Sequence, residues 1–213
     1  MSRIVLVRPG STDFDTQGRI QGTLDIPLSE EGKSQIQKLE QELKGLGITT
    51  IYTSCCQSAG ETAEMLAEAL SAKVKKLDKM QNLDHGLWQG MLVEDVKRKQ
   101  PKVYRQWQEQ PEIICPPEGE MVSDAQQRIE AAVGKILKKH KEETVALIVP
   151  EPLASLVRSY LLHAEVAGLW KEESVCGSWE VFDVNARGEV ESSRPAIDKI
   201  PAENHCDLSI KAG

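Results

Sequence analysis

No stretch of this chain holds the roughly 18 consecutive apolar residues that a membrane span requires, so no membrane association is expected. The start lacks a basic segment leading into an apolar one, which makes a cytoplasmic location the default expectation. No Cys-x-x-Cys pair occurs. The cysteines are Cys55, Cys56, Cys115, Cys176 and Cys206, and their odd count argues against a disulfide framework and against a zinc ribbon. Aromatic residues make up only 4% of the chain, no lysine-arginine cluster is interleaved with them, and the net charge is −7. Those features exclude a generic nucleic-acid surface. Internal repeats and low-complexity segments are also missing.

What is present is ordinary for a globular protein, with 40% hydrophobic and 28% charged residues in 213. One domain over residues 1–213 is expected, long enough to bury a full core. Apolar β-branched runs at 3–7, 48–53, 74–77, 145–149 and 179–184 read as strands. Between them, helical spacing places helices at about 30–44, 58–70, 92–110 with a break at Pro101, 122–140 and 153–162. Ser29 is the expected N-cap of the first of these, and Gly45 and Gly47 end it. The segment PEIICPPEG reads as a loop, residues 189–191 as a short strand partnering 179–184, and the tail from about 194 as irregular. Alternating strands and helices predict a three-layer α/β/α fold with a mostly parallel central sheet. In such sheets ligands bind beyond the carboxyl ends of the strands. Adjacent Cys55 and Cys56 read either as two small buried residues at a strand–helix junction or as a thiol activated by the helix start.

The first strand opens into the polar, glycine-rich loop RPGSTDFDTQGRIQG at residues 8–22. This loop resembles the R-H-G-E-T-x-x-N-x-x-G-R-x-Q-G signature of the histidine phosphatase (phosphoglycerate mutase-like) superfamily. Further segments resemble the same family in the right order: Asp25-Ile26-Pro27-Leu28-Ser29, Ile51-Tyr52-Thr53-Ser54 with Thr62-Ala63, Gly86-Leu87-Trp88-Gln89-Gly90, Pro117-Glu118-Gly119-Glu120, and Val145 to Arg158. The resemblance covers about residues 3–185. It implies the phosphoglycerate mutase-like α/β fold, a helical excursion at about 86–120 over the mouth of a pocket, and no cofactor.

In active members the resemblance implies a histidine nucleophile, a phosphoryl clamp of two arginines and a second histidine, and a carboxylic acid that protonates the leaving group. Here Arg8 matches the first arginine. Pro9 stands at the nucleophile, Ser58 at the second arginine, Asn82 at the acid and Glu151 at the second histidine. None of those replacements can do the family's chemistry, so no catalytic residue is intact. The ligand-binding candidates that remain are Arg8, Gly10, Thr12, Arg19, Gln21 and Glu151. Arg19 and Gln21 either line the mouth or order the loop. Glu151 either pairs with Arg8 inside the phosphate site or serves only as a helix-start carboxylate. His85 sits in a slot expected to pack the core, and Trp88 reads as packing.

Two functions fit. One is a pseudoenzyme kept as a binding or regulatory module. The other is a phosphatase or phosphoglycerate mutase-type enzyme acting on small phosphorylated metabolites with rebuilt chemistry. A small-molecule ligand, weak phosphate binding and a protein partner of unknown identity are expected; the oligomeric state, a homodimer included, is left open.

Overall fold

A computed structural model describes residues 1–166, 175–185 and 189–195. In chain order its elements are β1 (Ser2–Val7), α1 (Asp13–Gln17), α2 (Glu30–Leu43), β2 (Ile48–Thr53), α3 (Gln57–Leu70), β3 (Lys73–Lys76), α4 (Val93–Lys99), α5 (Pro101–Glu109), α6 (Val122–Lys139), β4 (Thr144–Ile148), α7 (Leu153–Leu162), β5 (Trp179–Val184) and β6 (Val190–Pro195). The strands form one sheet in the order β3-β2-β4-β1-β5-β6. The first four of that order run parallel, and β5 and β6 add antiparallel to the β1 edge.

The inner strands are apolar on both faces because both faces are covered. Along β1, Ile4 and Leu6 point into one core, while Val5 and Val7 point into the other. Along β4 the same alternation sends Val145 and Leu147 one way and Ala146 and Ile148 the other. Helices α6 and α7 cover the first face through Ile129, Val133, Leu156 and Val157. Helices α2 and α3 cover the second through Ile36, Leu39, Ala63 and Leu66. The period of two in the strands and of three to four in the helices thus produces the three layers.

Ser29 caps α2 as its position predicts, its hydroxyl accepting from the Gly32 N–H at 3.0 Å. Pro101 separates α4 from α5 and stands at the first turn of α5, where a missing N–H costs nothing. Among the described α-helices, the sequence reading omits α1. Its start is a capping box in which the Thr12 hydroxyl accepts from the Asp15 N–H and the Asp15 carboxylate accepts from the Thr12 N–H. The strand expected at 189–191 runs on to Pro195, past the point where an irregular tail was expected to begin. The rest of that tail lies outside the described residues.

The segment 86–120 carries α4 and α5 and builds a small core of its own. Trp88, Val93, Val96, Tyr104 and Trp107 gather there around Ile20 of the loop after β1. Trp88 is buried and donates to Gln100 Oε1 at 3.3 Å, in keeping with a packing role. No described helix is long and apolar enough to cross a membrane.

Candidate functional site

Strands β1, β2 and β4 end level with one another: Val7 and Thr53 both pair with Ile148. The next residues of each strand therefore leave the sheet at one rim. A cavity of about 50 Å³ lies there, lined among others by Arg8, Pro9, Gly10, Thr12, Ser58 and Glu151. Arg19 and Gln21 line it as well. All the residues singled out for the site meet at this rim. Asn82 joins them from behind, donating through Nδ2 to the Glu151 carbonyl at 3.0 Å and the Gly22 carbonyl at 3.1 Å. Its Oδ1 accepts from the Leu83 N–H at 2.9 Å, so both ends of the amide are engaged.

Arg8 is the centre of the arrangement. Its Nε donates to Glu151 Oε1 at 2.6 Å and its Nη1 to Glu180 Oε1 at 3.1 Å. The three side chains are only 11–13% exposed. Glu180 is in turn bonded through Oε2 to Arg158 Nε at 3.0 Å. Glu151 Oε2 accepts from the Ser155 N–H at 3.1 Å and the Ser155 hydroxyl at 2.8 Å, which ties it to the first turn of α7. Burial alone would lower the Arg8 pKa, but the charges of Glu151 and Glu180 outweigh it and the net direction is upward. Two carboxylates thus take the Arg8 Nε and Nη1 donors.

Glu180, Arg158, Ser155 and Asp15 are site residues that the sequence reading did not name. Each left a signal. Arg158 is the one charge in the otherwise apolar and hydroxylic α7. Glu180 alternates with Phe182 and Val184, two residues of the buried core, so a charge there needs an internal partner. Ser155 lies four residues beyond Glu151, one helical turn. Asp15 occupies the position of the asparagine in the loop signature. Burial pushes its carboxyl above the usual range, against the hydrogen bonds from Thr12.

The loop candidates are ordered by one another. Arg19 donates to Gln17 Oε1 at 2.7 Å and to the Gly90 carbonyl at 2.7 Å, and Gln21 donates to the Leu24 carbonyl at 3.3 Å. Of the two roles open to them, the contacts present are loop-ordering ones. Gly10 packs so closely on the start of α2 that a Cβ there would come within 2.4 Å of the Gly32 carbonyl oxygen. Its N–H donates to Thr62 Oγ1 at 3.3 Å.

His85 is buried against Trp107, ring centroids 5.6 Å apart, and lines the cavity. Among the described residues, no hydrogen bond of ordinary geometry reaches either ring nitrogen. Burial pushes its pKa down to about 4, which the Leu83 backbone and Asp84 oppose only in part.

Two cysteine expectations need correction. Cys55 is exposed rather than buried, and burial of its sulfur together with Asp78 raises its pKa, the opposite of an activated thiol. Only Cys56 is buried, at the N-cap of α3. Cys176 is disulfide-bonded, which the cysteine count gave no reason to expect. Among the described residues no group of three or more His, Cys, Asp or Glu is placed to hold a metal ion.

Comparison with known proteins agrees with this geometry. The sequence profile of the histidine phosphatase superfamily (branch 1) matches residues 4–193. Phosphoserine phosphatase 1 of Hydrogenobacter thermophilus is 32% identical over 190 residues, 89% of this chain and 90% of that protein. Among solved structures, Bacillus stearothermophilus YhfR superimposes with a TM-score of 0.83 at 24% identity, covering 93% of this chain and 96% of its own. A histidine-to-alanine mutant of phosphoserine phosphatase from Entamoeba histolytica, in complex with phosphoserine, superimposes with a TM-score of 0.78 at 22% identity, covering 91% and 96%.

Proposed function

We propose that this chain, which belongs to the histidine phosphatase superfamily, is a non-catalytic member of it that acts as a binding or regulatory module. The observation that carries the reading is Arg8 held between Glu151 and Glu180 at 2.6 and 3.1 Å. An arginine clamps a phosphoryl group by pointing its fork of donors at free oxygens. Here Nε and Nη1 already point at carboxylates. Pro9 has no lone pair with which to attack phosphorus, and the Asn82 amide carries no acidic proton for a leaving group.

Loss of the nucleophile is a separate matter from loss of binding. The Entamoeba histolytica mutant is solved with phosphoserine although a histidine has been replaced. In this chain the carboxylates, more than Pro9, weigh against a phosphorylated ligand. Its partner is then a small molecule of other chemistry or a protein.

A second reading is favoured by the 32% identity to Phosphoserine phosphatase 1. On that reading the chain is a phosphatase with rebuilt chemistry, and His85 is the imidazole at the cavity to carry it. A nucleophilic imidazole needs a partner that orients it and an open path to the phosphoryl group. His85 is 2% exposed and has no such partner among the described residues.

Activity decides between the two. Purified protein is incubated with phosphoserine, 3-phosphoglycerate and p-nitrophenyl phosphate, with phosphate release and acid-labile phosphohistidine both measured. The non-catalytic reading expects neither above background. Turnover that disappears in His85→Phe would establish the rebuilt enzyme instead.

A further inference from the structure

The cavity at the strand ends meets charges of two kinds. Arg8, Glu151, Glu180 and Arg158 form one connected set of ion pairs, two cations against two carboxylates. Arg8 Nη2 has no hydrogen bond, but the charge behind it is already matched on Nε and Nη1. Asp15 and Arg19 line the same cavity and stand outside that set. Asp15 Oδ2 accepts from the Thr12 N–H and hydroxyl at 2.6 and 2.7 Å, which leaves Oδ1 without a hydrogen bond. Arg19 spends Nε and Nη1 on two neutral acceptors, Gln17 Oε1 and the Gly90 carbonyl, and lies over the Phe14 ring at 6.0 Å. Its Nη2 is left without a hydrogen bond. Neither of these two free atoms is sealed from water. Among the described residues neither side chain has an ion-pair partner, the two do not pair with each other, and no cation offsets the burial that pushes the Asp15 carboxyl up.

One cavity thus carries an unmatched carboxylate and an unmatched guanidinium. A simple anion that reaches Arg19 also meets the negative charge of Asp15. A simple cation that reaches Asp15 also meets the positive charge of Arg19. A ligand bearing both signs satisfies both, and each contact is a charge-assisted hydrogen bond. The walls given by Pro9, Pro150, Pro152 and Ile20 are apolar, which strengthens both contacts relative to water.

We propose that this cavity binds a small zwitterion, a ligand carrying an ammonium and a carboxylate, with Asp15 Oδ1 accepting from the ammonium and Arg19 Nη2 donating to the carboxylate. The inference rests on the non-catalytic reading above and gives that reading a ligand class. The volume of about 50 Å³ fits the few non-hydrogen atoms of such a head group.

The test is a titration of the full-length chain at pH 7, followed by the resonances of the Asp15 carboxyl carbon and the Arg19 guanidinium nitrogens. The probes are glycine, β-alanine and 4-aminobutyrate, whose charges stand progressively further apart, set against methylammonium, acetate and inorganic phosphate. At least one zwitterion is expected to saturate, at about millimolar concentration for so small a ligand, and to move both resonances. Methylammonium and acetate are expected to bind at least tenfold more weakly. Asp15→Asn keeps an oxygen for the Thr12 N–H and is expected to weaken the zwitterion at least tenfold while acetate binds no worse. Arg19→Gln is expected to weaken the zwitterion while methylammonium binds no worse. A loop merely loosened by either change would weaken every probe alike, and that result overturns the proposal. If neither variant folds, the wild-type resonances decide, and saturation that leaves either one unmoved overturns it. It is equally overturned if no zwitterion saturates, if a singly signed probe binds as tightly as the best zwitterion, or if a folded variant binds that zwitterion as the wild type does. Phosphatase activity is assayed on the same sample. Turnover would overturn the non-catalytic reading, whereas any of the binding failures without turnover would overturn this inference alone.

Discussion

Glu151 Oε1 lies 2.6 Å from Arg8 Nε, across the rim where β1 and β4 end, with Glu180 on the other side of the same guanidinium. The residues that meet there are 143 positions apart in the chain, and the parallel pairing of their strands is what brings them together. In the superfamily pattern the position of Glu151 belongs to a histidine beside a phosphoryl group. A carboxylate at this place supplies the oxygens that a phosphoryl group would bring. On the non-catalytic reading proposed above, the phosphate site is filled from within the chain.

Removing the arginine leaves carboxylates buried without their main counter-charge. Breaking a buried pair in this way costs about 3–5 kcal/mol. Arg8→Met is expected to lose close to 3 kcal/mol, the low end, because Arg158 still holds Glu180. Urea denaturation at pH 7 measures it. Restoring neutrality with Arg8→Met/Glu151→Gln is expected to recover most of the loss. A single variant within about 1 kcal/mol of wild type would mean that the pair does little for folding.

Stability is expected to fall on acidification through His85. Its pKa is about 4 in the folded chain and 6.5 when unfolded. Between those values the unfolded chain binds the extra proton, so stability rises with pH across the window and is lost as pH falls from 6.5 to 4. At about 1.4 kcal/mol per unit the full effect is about 3 kcal/mol. Urea midpoints from pH 7 to pH 4 check it: His85→Phe should have a shallower slope. Identical slopes would place the titrating group elsewhere.

Arg128 on α6 holds the strip that carries Asn82. It donates to the carbonyls of Lys79, Gln81 and Asn82 and pairs with Glu120 at 2.7 Å. Arg128→Met is expected to destabilise by about 2 kcal/mol, the scale of charge-assisted hydrogen bonds at a partly exposed site. Amide exchange at Leu83, whose N–H bonds to Asn82 Oδ1, should speed up more than exchange in β1. Uniform acceleration would mean that Arg128 acts on global stability alone.

The layers of the fold were legible because both periodicities are clean. The VALIV run at 145–149 and the LASLVRSYLL helix fall within a residue of their observed bounds. Convergence of Arg8, Pro9, Ser58, Asn82 and Glu151 was legible from ordered motifs, and so was the Arg8–Glu151 pair. Glu180 was not, since its meaning depends on β5 lying antiparallel beside β1, with Glu180 opposite Leu6. That register is a tertiary fact with no local signature. The helix α1 was missed because five polar and aromatic residues show no apolar period, although its Thr-x-x-Asp cap was there to read. In sequence His85 reads as core packing, and it does pack against Trp107. Its missing hydrogen-bond partners become visible only when the surrounding atoms are in place.

Calorimetric titration of inorganic phosphate tests the central claim most directly, that Arg8 is closed to anions by Glu151 and Glu180. Wild type, Glu151→Gln and Glu151→Gln/Glu180→Gln are compared at pH 7. The account predicts no saturation in the wild type at millimolar phosphate. It predicts a gain of about tenfold for each carboxylate removed, equivalent to about 1.4 kcal/mol per step. Tight binding by the wild type, unchanged or weakened in Glu151→Gln, would contradict it.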